Sequence, residues 1–341
     1  MRRARWLVRA GVAAVVALSG AVVGFGCSSG SVPVDEVRTD GLTDGTGGGP
    51  IFYVEVRSRP DYRLYTLDPE TGSSSPVFEV AELGAISSVA ATPDGRRLAL
   101  AYTTDYTVAG NGLYTLAVPE GDGPVDESAL EPLTAELDAE FYDDLAISPD
   151  GSTLWASVGQ NNQSRLAAID IASGATTTVV DNAVAPAPGG DWVAYLPIEA
   201  DGARRSVAVL DLTTDETRVY PILDGRYDLG HLLADEQRGR LWFTALIPVG
   251  EPLITFGEPA GAHGSHDGPS QWLVLDLETG AVSGLVDQQL SNVRDSVLRS
   301  DGALVESNPD GLVLPFDGPE PVLASRVVTE IASTPPSGSV D

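Results

Sequence analysis

The chain contains three histidines, and two of them lie in one long insertion. His263 and His266 are followed directly by Asp267 within the Gly- and Pro-rich residues 248–270, which interrupt a repeated strand pattern. The third, His231, belongs to the repeat that this insertion interrupts. Imidazoles together with a carboxylate suit Zn²⁺ or another borderline metal ion. These four residues are therefore a candidate metal site, and a chance His-x-x-His in a mobile loop is the alternative.

A second set of polar residues recurs at one position of a repeated hairpin. Counting back from the turn glycine of each hairpin to the same position of its first strand gives Ser88, Asp144, Ala183, His231, Asp295 and Glu330. If those first strands line one channel, the four ionisable side chains among them meet at its mouth and could bind a polar ligand or a divalent cation, Ca²⁺ or Zn²⁺. The alternative is a hydrated channel in which the acids accept hydrogen bonds from amides of neighbouring strands.

Motifs for covalent catalysis are missing from the sequence. It has no Gly-x-Ser-x-Gly elbow and no phosphate-binding Gly-rich loop with a lysine. Ser265 precedes His266, but nothing in the sequence would orient the two as part of a triad. No catalytic residue is assigned. Two functions stay open: a non-catalytic scaffold that binds a protein, peptide or glycan, and a metal-dependent hydrolase or lyase acting on a lactone, phosphate ester or sugar.

The residues above depend on a hairpin that the chain repeats. Residues 145–157 read "LAISPDGSTLWAS": an alternating apolar run, a Pro-Asp-Gly turn and a second alternating run. Related segments are "SVAATPDGRRLALAY", "AVAPAPGGDWVAYLP", "HLLADEQRGRLWFTA", "DSVLRSDGALVES" and "TEIASTPPSG". Alternation with a period of two and Gly-terminated turns predict antiparallel strand pairs.

A different hairpin follows most of these units. Its first strand ends at an aspartate, and turn residues then lead into another strand; the aspartates are Asp68, Asp170, Asp211 and Asp276. Aspartate at the entry of a turn accepts hydrogen bonds from the turn's own backbone. These aspartates are therefore predicted to be structural.

Two hairpins per repeat make a four-stranded unit, and the "SPDGxxLA" pattern resembles the WD40-like repeats of TolB-type propellers. The resemblance covers about residues 50–338 and implies an all-β, six-bladed β-propeller with four-stranded antiparallel blades. Residues 51–57 look like a second strand without a first, and residues 329–338 like a first strand without a second. The C-terminal strand is therefore expected to join the N-terminal blade and close the ring. Residues 339–341 would form a short tail.

The N-terminus resembles a bacterial lipoprotein signal. Residues 1–26 combine an Arg-rich start with an uncharged apolar run, and Cys27 is the only cysteine of the chain. This arrangement resembles a lipobox, which implies acylation of Cys27 after cleavage, although Gly24 stands where the family prefers leucine. Residues 27–49, rich in Gly, Ser, Thr and Asp, are predicted to be a flexible tether. We therefore expect an exported protein that is anchored in the bacterial envelope by lipid. The outer membrane is favoured, with the domain facing the periplasm or the cell surface.

The charge of the chain restricts the kinds of partner that it is expected to bind. The formal net charge is −29, and every basic residue is an arginine. A polyanion repels phosphate backbones and anionic lipid, so we expect no nucleic-acid partner and membrane contact only through the anchor. Attraction of cations, codon usage and adaptation to high salt are alternative reasons for this acidity. The protein is expected to be a monomer.

Overall fold

The computed structural model describes residues 49–58, 61–69, 71–80, 84–103, 111–121, 123–134, 141–160, 163–247, 270–284, 295–298, 304–308, 311–313 and 328–333. The proposed signal peptide, Cys27, nearly all of the tether, the insertion with His263, His266 and Asp267, and the C-terminal tail lie outside these residues.

The described residues contain 23 strands. Their bounds are β1 Ile51–Ser58, β2 Asp61–Leu67, β3 Ser74–Glu79, β4 Ala85–Ala91, β5 Arg97–Thr103, β6 Asn111–Ala117, β7 Glu131–Thr134, β8 Phe141–Ile147, β9 Thr153–Gln160, β10 Gln163–Asp170, β11 Thr176–Asp181, β12 Ala183–Pro188, β13 Trp192–Pro197, β14 Ser206–Asp211, β15 Thr217–Pro221, β16 Leu229–Asp235, β17 Arg240–Leu246, β18 Ser270–Asp276, β19 Val282–Gly284, β20 Asp295–Leu298, β21 Leu304–Asn308, β22 Gly311–Val313 and β23 Val328–Ser333. Three short 3-10 turns, at Glu127–Ala129, Leu223–Gly225 and Glu236–Arg238, complete the regular structure of these residues.

The strands form antiparallel sheets in simple meander order. Five sheets have four strands each: β23-β1-β2-β3, β4-β5-β6-β7, β8-β9-β10-β11, β12-β13-β14-β15 and β16-β17-β18-β19. A further sheet has three described strands, β20-β21-β22. In the first sheet β23 pairs with β1, so that Ile51 lies opposite Ser333 and Phe52 opposite Ala332. Strands from the two ends of the described chain therefore share one sheet.

The sheets are arranged as a β-propeller. Residues of β4, β8, β12, β16, β20 and β23, the first strand of each sheet, line one central cavity. The resemblance of the repeats therefore predicted the fold correctly: an all-β propeller with four-stranded antiparallel blades. Six such blades were predicted; among the described residues five sheets have four strands, and the sheet β20-β21-β22 has three.

Apolar side chains of neighbouring sheets fill the space between them. The largest of those with almost no exposed surface include Phe52, Phe78, Tyr102, Phe243 and Trp272. The cluster around Phe243 joins β12–β14 to β16–β18, and the cluster around Phe52 joins the first sheet to β4–β6. Burial between neighbouring blades, rather than in one central core, therefore stabilises this fold. No helix among the described residues has the length and apolar character needed to cross a bilayer.

The turns carry the hydrogen bonds that the sequence predicts. Asp170 Oδ1 accepts from the backbone N–H and the hydroxyl of Ser173 at 2.7 and 2.6 Å. Asp276 Oδ1 accepts the same pair from Thr279, at 2.8 Å each. Asp68 and Asp211 bond the threonines of their own turns in the same way. The structural role predicted for these four aspartates is confirmed.

Within the acidic segment 119–140, the described residues 123–134 pair with two sheets. Glu131–Thr134 form β7, the outer strand of the second sheet. Val125 bridges the edge strand β3: its N–H donates to Val77 O at 3.0 Å, and its carbonyl accepts from Glu79 N at 2.9 Å. This contact covers part of an edge that would otherwise expose unpaired backbone groups.

Candidate functional site

The central cavity is the best-defined concave feature of the described residues. It encloses about 1040 Å³, a volume that includes some open solvent. Its walls are mainly small or aliphatic side chains, such as Ala90, Ile147 and Leu298. Among the side chains that the structure describes, the ionisable ones lining it are Asp144, His231 and Glu236. A cavity lined mainly by apolar side chains, with a few polar groups among them, is typical of a ligand site.

Asp144 and His231 occupy equivalent bulges in their strands. In β8 the register shifts between Asp143 and Ala146, and in β16 it shifts between Gly230 and Leu233. Both Asp144 and His231 have a φ of 45°, in the left-handed region. L-residues other than Asn and Asp seldom adopt this conformation, because Cβ approaches the following carbonyl. The bulge interrupts strand alternation and brings each residue to the cavity wall.

The carboxylate of Asp144 connects two blades. Its Oδ2 accepts from the backbone N–H of Ala185 in β12 at 3.2 Å and from the hydroxyl of Ser157 in β9 at 3.2 Å. The Ala185 N–H is shared, because it also donates to Ser157 Oγ at 3.1 Å. On the other side of β8, the Leu145 N–H donates to Ser88 Oγ at 3.0 Å. Asp144 therefore acts as a hydrogen-bond acceptor for a neighbouring strand, as the hydrated-channel alternative expects.

Asp143 is the most strongly perturbed carboxylate at this mouth. Desolvation, and to a smaller extent the negative charge of Asp144, raise its pKa to about 7. A hydrogen bond from the Asp144 N–H to Asp143 Oδ1, at 3.1 Å, acts in the opposite sense. Part of the Asp143 side chain nevertheless contacts water, since the residue is exposed. At a given pH near neutral, Asp143 is therefore protonated more often than an ordinary aspartate.

The structure brings two of the predicted ligand-binding residues to one cavity and leaves two undetermined. Asp144 and His231 both line it. Asp295 begins β20, and Glu330 lies in β23. Their neighbours Ser296 and Ile331 line the cavity, whereas the side chains of Asp295 and Glu330 lie outside the described residues. Within the described part of the chain, no three His, Cys, Asp or Glu side chains are grouped so that they could hold a metal ion.

One position of the predicted register is wrong. Ala183 pairs with Pro197 at the start of β12, whereas Ala185 occupies the left-handed bulge, with a φ of 54°, and lines the cavity. The turn after β12 is tighter than its counterparts, with Gly189 N bonded to Trp192 O at 2.8 Å. Gly190 is consequently not equivalent to Gly151. Counting back seven residues from Gly190 gives Ala183, which lies two residues before the bulge residue Ala185.

The opposite end of the cavity carries Glu236, which the repeat pattern does not single out. Glu236 begins the turn after β16, and its Oε1 accepts from the Gly190 N–H of the neighbouring blade at 2.9 Å. Its Oε2 is buried and has no hydrogen-bond partner among the described residues. The cavity therefore has a carboxylate near each end.

An exposed aromatic ring lies beside the mouth with Asp143 and Asp144. Phe141 is 46% exposed and lies two residues before Asp143, on the same side of β8. Its ring covers Gly159 of β9, where any side chain would collide with it. Phe141 could have been found from the sequence as an aromatic residue shortly before the repeated hairpin at residues 145–157. The glycine beneath it becomes meaningful only once the strand register is known.

Comparisons with known proteins show the fold but no family. No family model matches the chain, and no curated protein matches it. TolB from Acinetobacter baumannii superposes with a TM-score of 0.58 at 14% identity, over 86% of this chain and 68% of that one. A chain of a nidogen–laminin complex superposes with a TM-score of 0.55 at 9% identity, over 85% of this chain and 100% of that one. At these identities the similarity establishes a TolB-like β-propeller fold alone.

Proposed function

We propose that this protein is a non-catalytic, exported scaffold whose propeller face binds a protein, peptide or glycan partner. The observation that carries the proposal is the exposed ring of Phe141 beside Asp143 and Asp144 at the mouth of the cavity. An aromatic side chain held over a glycine loses little conformational entropy on binding, and adjacent carboxylates orient polar or basic groups of a partner. The nidogen–laminin complex provides an example of a similar propeller in contact with a protein.

Site-specific photo-crosslinking in bacteria that produce the full chain tests this proposal. We would place p-benzoylphenylalanine at Phe141 and, as a matched control, at Leu212, which is 45% exposed in a turn between β14 and β15. A discrete adduct from position 141, absent from position 212 and lost when Asp143→Ala is added, is expected. Equal labelling at both positions would show that this face has no preferred partner.

Attachment to the envelope through Cys27 is part of the same proposal. Its support is the order of charged start, apolar run and single cysteine in residues 1–27. We expect Cys27→Ser to move the protein from the membrane fraction to the soluble fraction, and mass spectrometry of the mature N-terminus to show acyl chains on Cys27. An unmodified N-terminus on membrane-bound protein would contradict the anchor.

We also infer that β20-β21-β22 is a sixth blade of one closed ring, with β23 completing the first blade. The support is that β20 and β23 line the same cavity as the first strands of the other sheets. Phe52 and Ala332 are direct cross-strand partners, so Phe52→Cys with Ala332→Cys, in a chain lacking Cys27, should form a disulfide, and this double variant should have a higher Tm when oxidised than when reduced. Failure to crosslink in the folded protein would contradict closure.

Metal analysis separates the scaffold from the enzymatic alternative. The scaffold predicts that purified protein melts at the same temperature with and without added Ca²⁺ or Zn²⁺. A stoichiometric ion that is lost on His231→Ala or Asp144→Ala would favour a metal-dependent hydrolase or lyase instead.

A further inference from the structure

The start of β8 presents an exposed aromatic ring and a carboxylate side by side. Phe141 and Asp143 are two residues apart and lie on the same side of this strand, where they pair with Gly159 and Ser157 of β9. At the rise of a β-strand their Cα atoms are about 6.6 Å apart. One long side chain of a partner can therefore contact both residues at once.

The ring of Phe141 offers a surface that attracts cations. It lies over Gly159, and the residue is nevertheless 46% exposed, so the ring face turned away from the glycine is available to a partner. The face of an aromatic ring carries partial negative charge, and arginine is the cation found most often against it.

The carboxylate of Asp143 can accept further hydrogen bonds. Its Oδ1 accepts from the Asp144 N–H at 3.1 Å, and no other donor among the described residues bonds to this side chain. Asp143 is exposed, so a partner can reach it. Desolvation and the charge of Asp144 both disfavour its ionised form. A cation that binds here compensates for both effects, and the attraction is stronger than in open water because the local dielectric constant is lower.

The described part of the protein supplies no cation at this position. Arg165 belongs to the same sheet, but it is level with Val158 and Tyr142, and its charge acts on the Tyr142 hydroxyl. Residues that pair across strands share a side of the sheet, so Arg165 lies on the side opposite to Phe141 and Asp143. The sequence contains no lysine.

We propose that this surface binds an arginine side chain of a protein or peptide partner, stacked on Phe141 and ion-paired with Asp143. The inference rests on the proposed scaffold function and restricts its partner to one that presents an exposed arginine. A guanidinium fits better than an ammonium, because its planar group can lie flat on the ring and direct two N–H donors at one carboxylate. The net charge of −29 attracts such a partner at long range.

An NMR titration of the ¹⁵N-labelled full chain with N-acetyl-arginine amide tests this inference. The signals to follow are the backbone amides of Asp143 and Gly159, at about 0.15 M salt so that general attraction to the acidic surface is screened. N-acetyl-citrulline amide has nearly the same shape without the charge, and N-acetyl-lysine amide has the charge without the planar group. The variants are Phe141→Leu and Asp143→Asn. Glu278→Gln is the matched control, because it changes the net charge as Asp143→Asn does, in an exposed turn of another sheet.

We expect the arginine derivative to bind about tenfold more tightly than the citrulline derivative and about threefold more tightly than the lysine derivative. Asp143→Asn should raise Kd about tenfold at pH 8, Phe141→Leu about threefold, and Glu278→Gln not at all. Since the folded pKa of Asp143 is about 7 and the cation binds its ionised form, Kd should fall about tenfold from pH 6 to pH 8. Asp143→Asn should abolish this pH dependence.

Equal binding of the citrulline or lysine derivative would overturn the arginine site, as would undiminished binding to Asp143→Asn. The photo-crosslinking experiment tests the scaffold separately. A discrete adduct from position 141, together with equal binding of arginine and citrulline derivatives, would support the scaffold and overturn this inference. Arginine-selective binding without any adduct would support the arginine site and overturn the proposed partner in the cell.

Discussion

Removing the carboxylate of Asp144 should loosen the contact between the blades β8–β11 and β12–β15. The carboxylate accepts from Ala185 N and Ser157 Oγ, and a hydrogen bond to a charged group contributes about 1.5–3 kcal/mol. The loss is partly offset, because the Ala185 N–H stays bonded to Ser157 Oγ. Alanine also costs about 1 kcal/mol more than aspartate at a φ of 45°. We therefore expect Asp144→Ala to destabilise the fold by about 2 kcal/mol.

Three substitutions at this one position separate these contributions. Asp144→Asn keeps an oxygen acceptor and tolerates the left-handed region, so it should cost less than about 1 kcal/mol. Asp144→Gly relieves the backbone but loses the acceptor, so it should fall between the asparagine and alanine variants. Urea unfolding at pH 6 is the appropriate assay, since Asp143, with a pKa of about 7, is then mostly protonated and repels Asp144 little. If Asp144→Asn destabilises as much as Asp144→Ala, the acceptor role assigned to this carboxylate is wrong.

Three further predictions follow from the same blades. Because the folded pKa of Asp143 is raised from 3.8 to about 7, its contribution to stability is present at low pH and is lost as the pH rises through 7. Asp143→Asn should therefore raise Tm at pH 8, and the gain should vanish near pH 4; a gain independent of pH would contradict the shift. Ala185 has a φ of 54°, so Ala185→Gly should change the stability of the fold little. Ala185→Val should lower the free energy of unfolding by more than about 1 kcal/mol, measured by denaturant unfolding. Asp228 is only 5% exposed, and the Arg204 guanidinium donates two hydrogen bonds to it, at 2.9 and 3.2 Å. Arg204→Met should therefore lower the free energy of unfolding by about 3 kcal/mol. A loss below about 1 kcal/mol would show that water takes the place of the guanidinium.

The features that could be predicted from the sequence are those that repeat. Alternating apolar residues and Gly-terminated turns indicated the strands, and the same turns placed Asp144 and His231 at one register. The register failed at Ala183 because the turn after β12 is two residues shorter than its counterparts, and the sequence does not show this difference. A repeated sequence pattern therefore predicts the position of a residue only where the blades have turns of the same length.

Contacts between blades were not predictable, because each joins segments far apart in the chain. Nothing near Glu236 indicates that its carboxylate reaches Gly190, 46 residues earlier. Likewise, the acidic segment around Val125 shows no strand pattern, yet it pairs with β3 once β3 offers a free edge. The raised pKa of Asp143 arises from desolvation and from Asp144, and desolvation by segments distant in the chain has no local signature in the sequence.

The pairing of β1 with β23 also determines how the domain should respond to force. Ile51 faces Ser333, so the chain enters and leaves this ladder at the same end. A load pulling the two ends apart would open the ladder one residue pair at a time, starting at Ile51, instead of shearing all its hydrogen bonds together. The joint that ties the first and last strands is thus mechanically the weakest point of the domain under tension, and single-molecule stretching should show it yielding first, at low force.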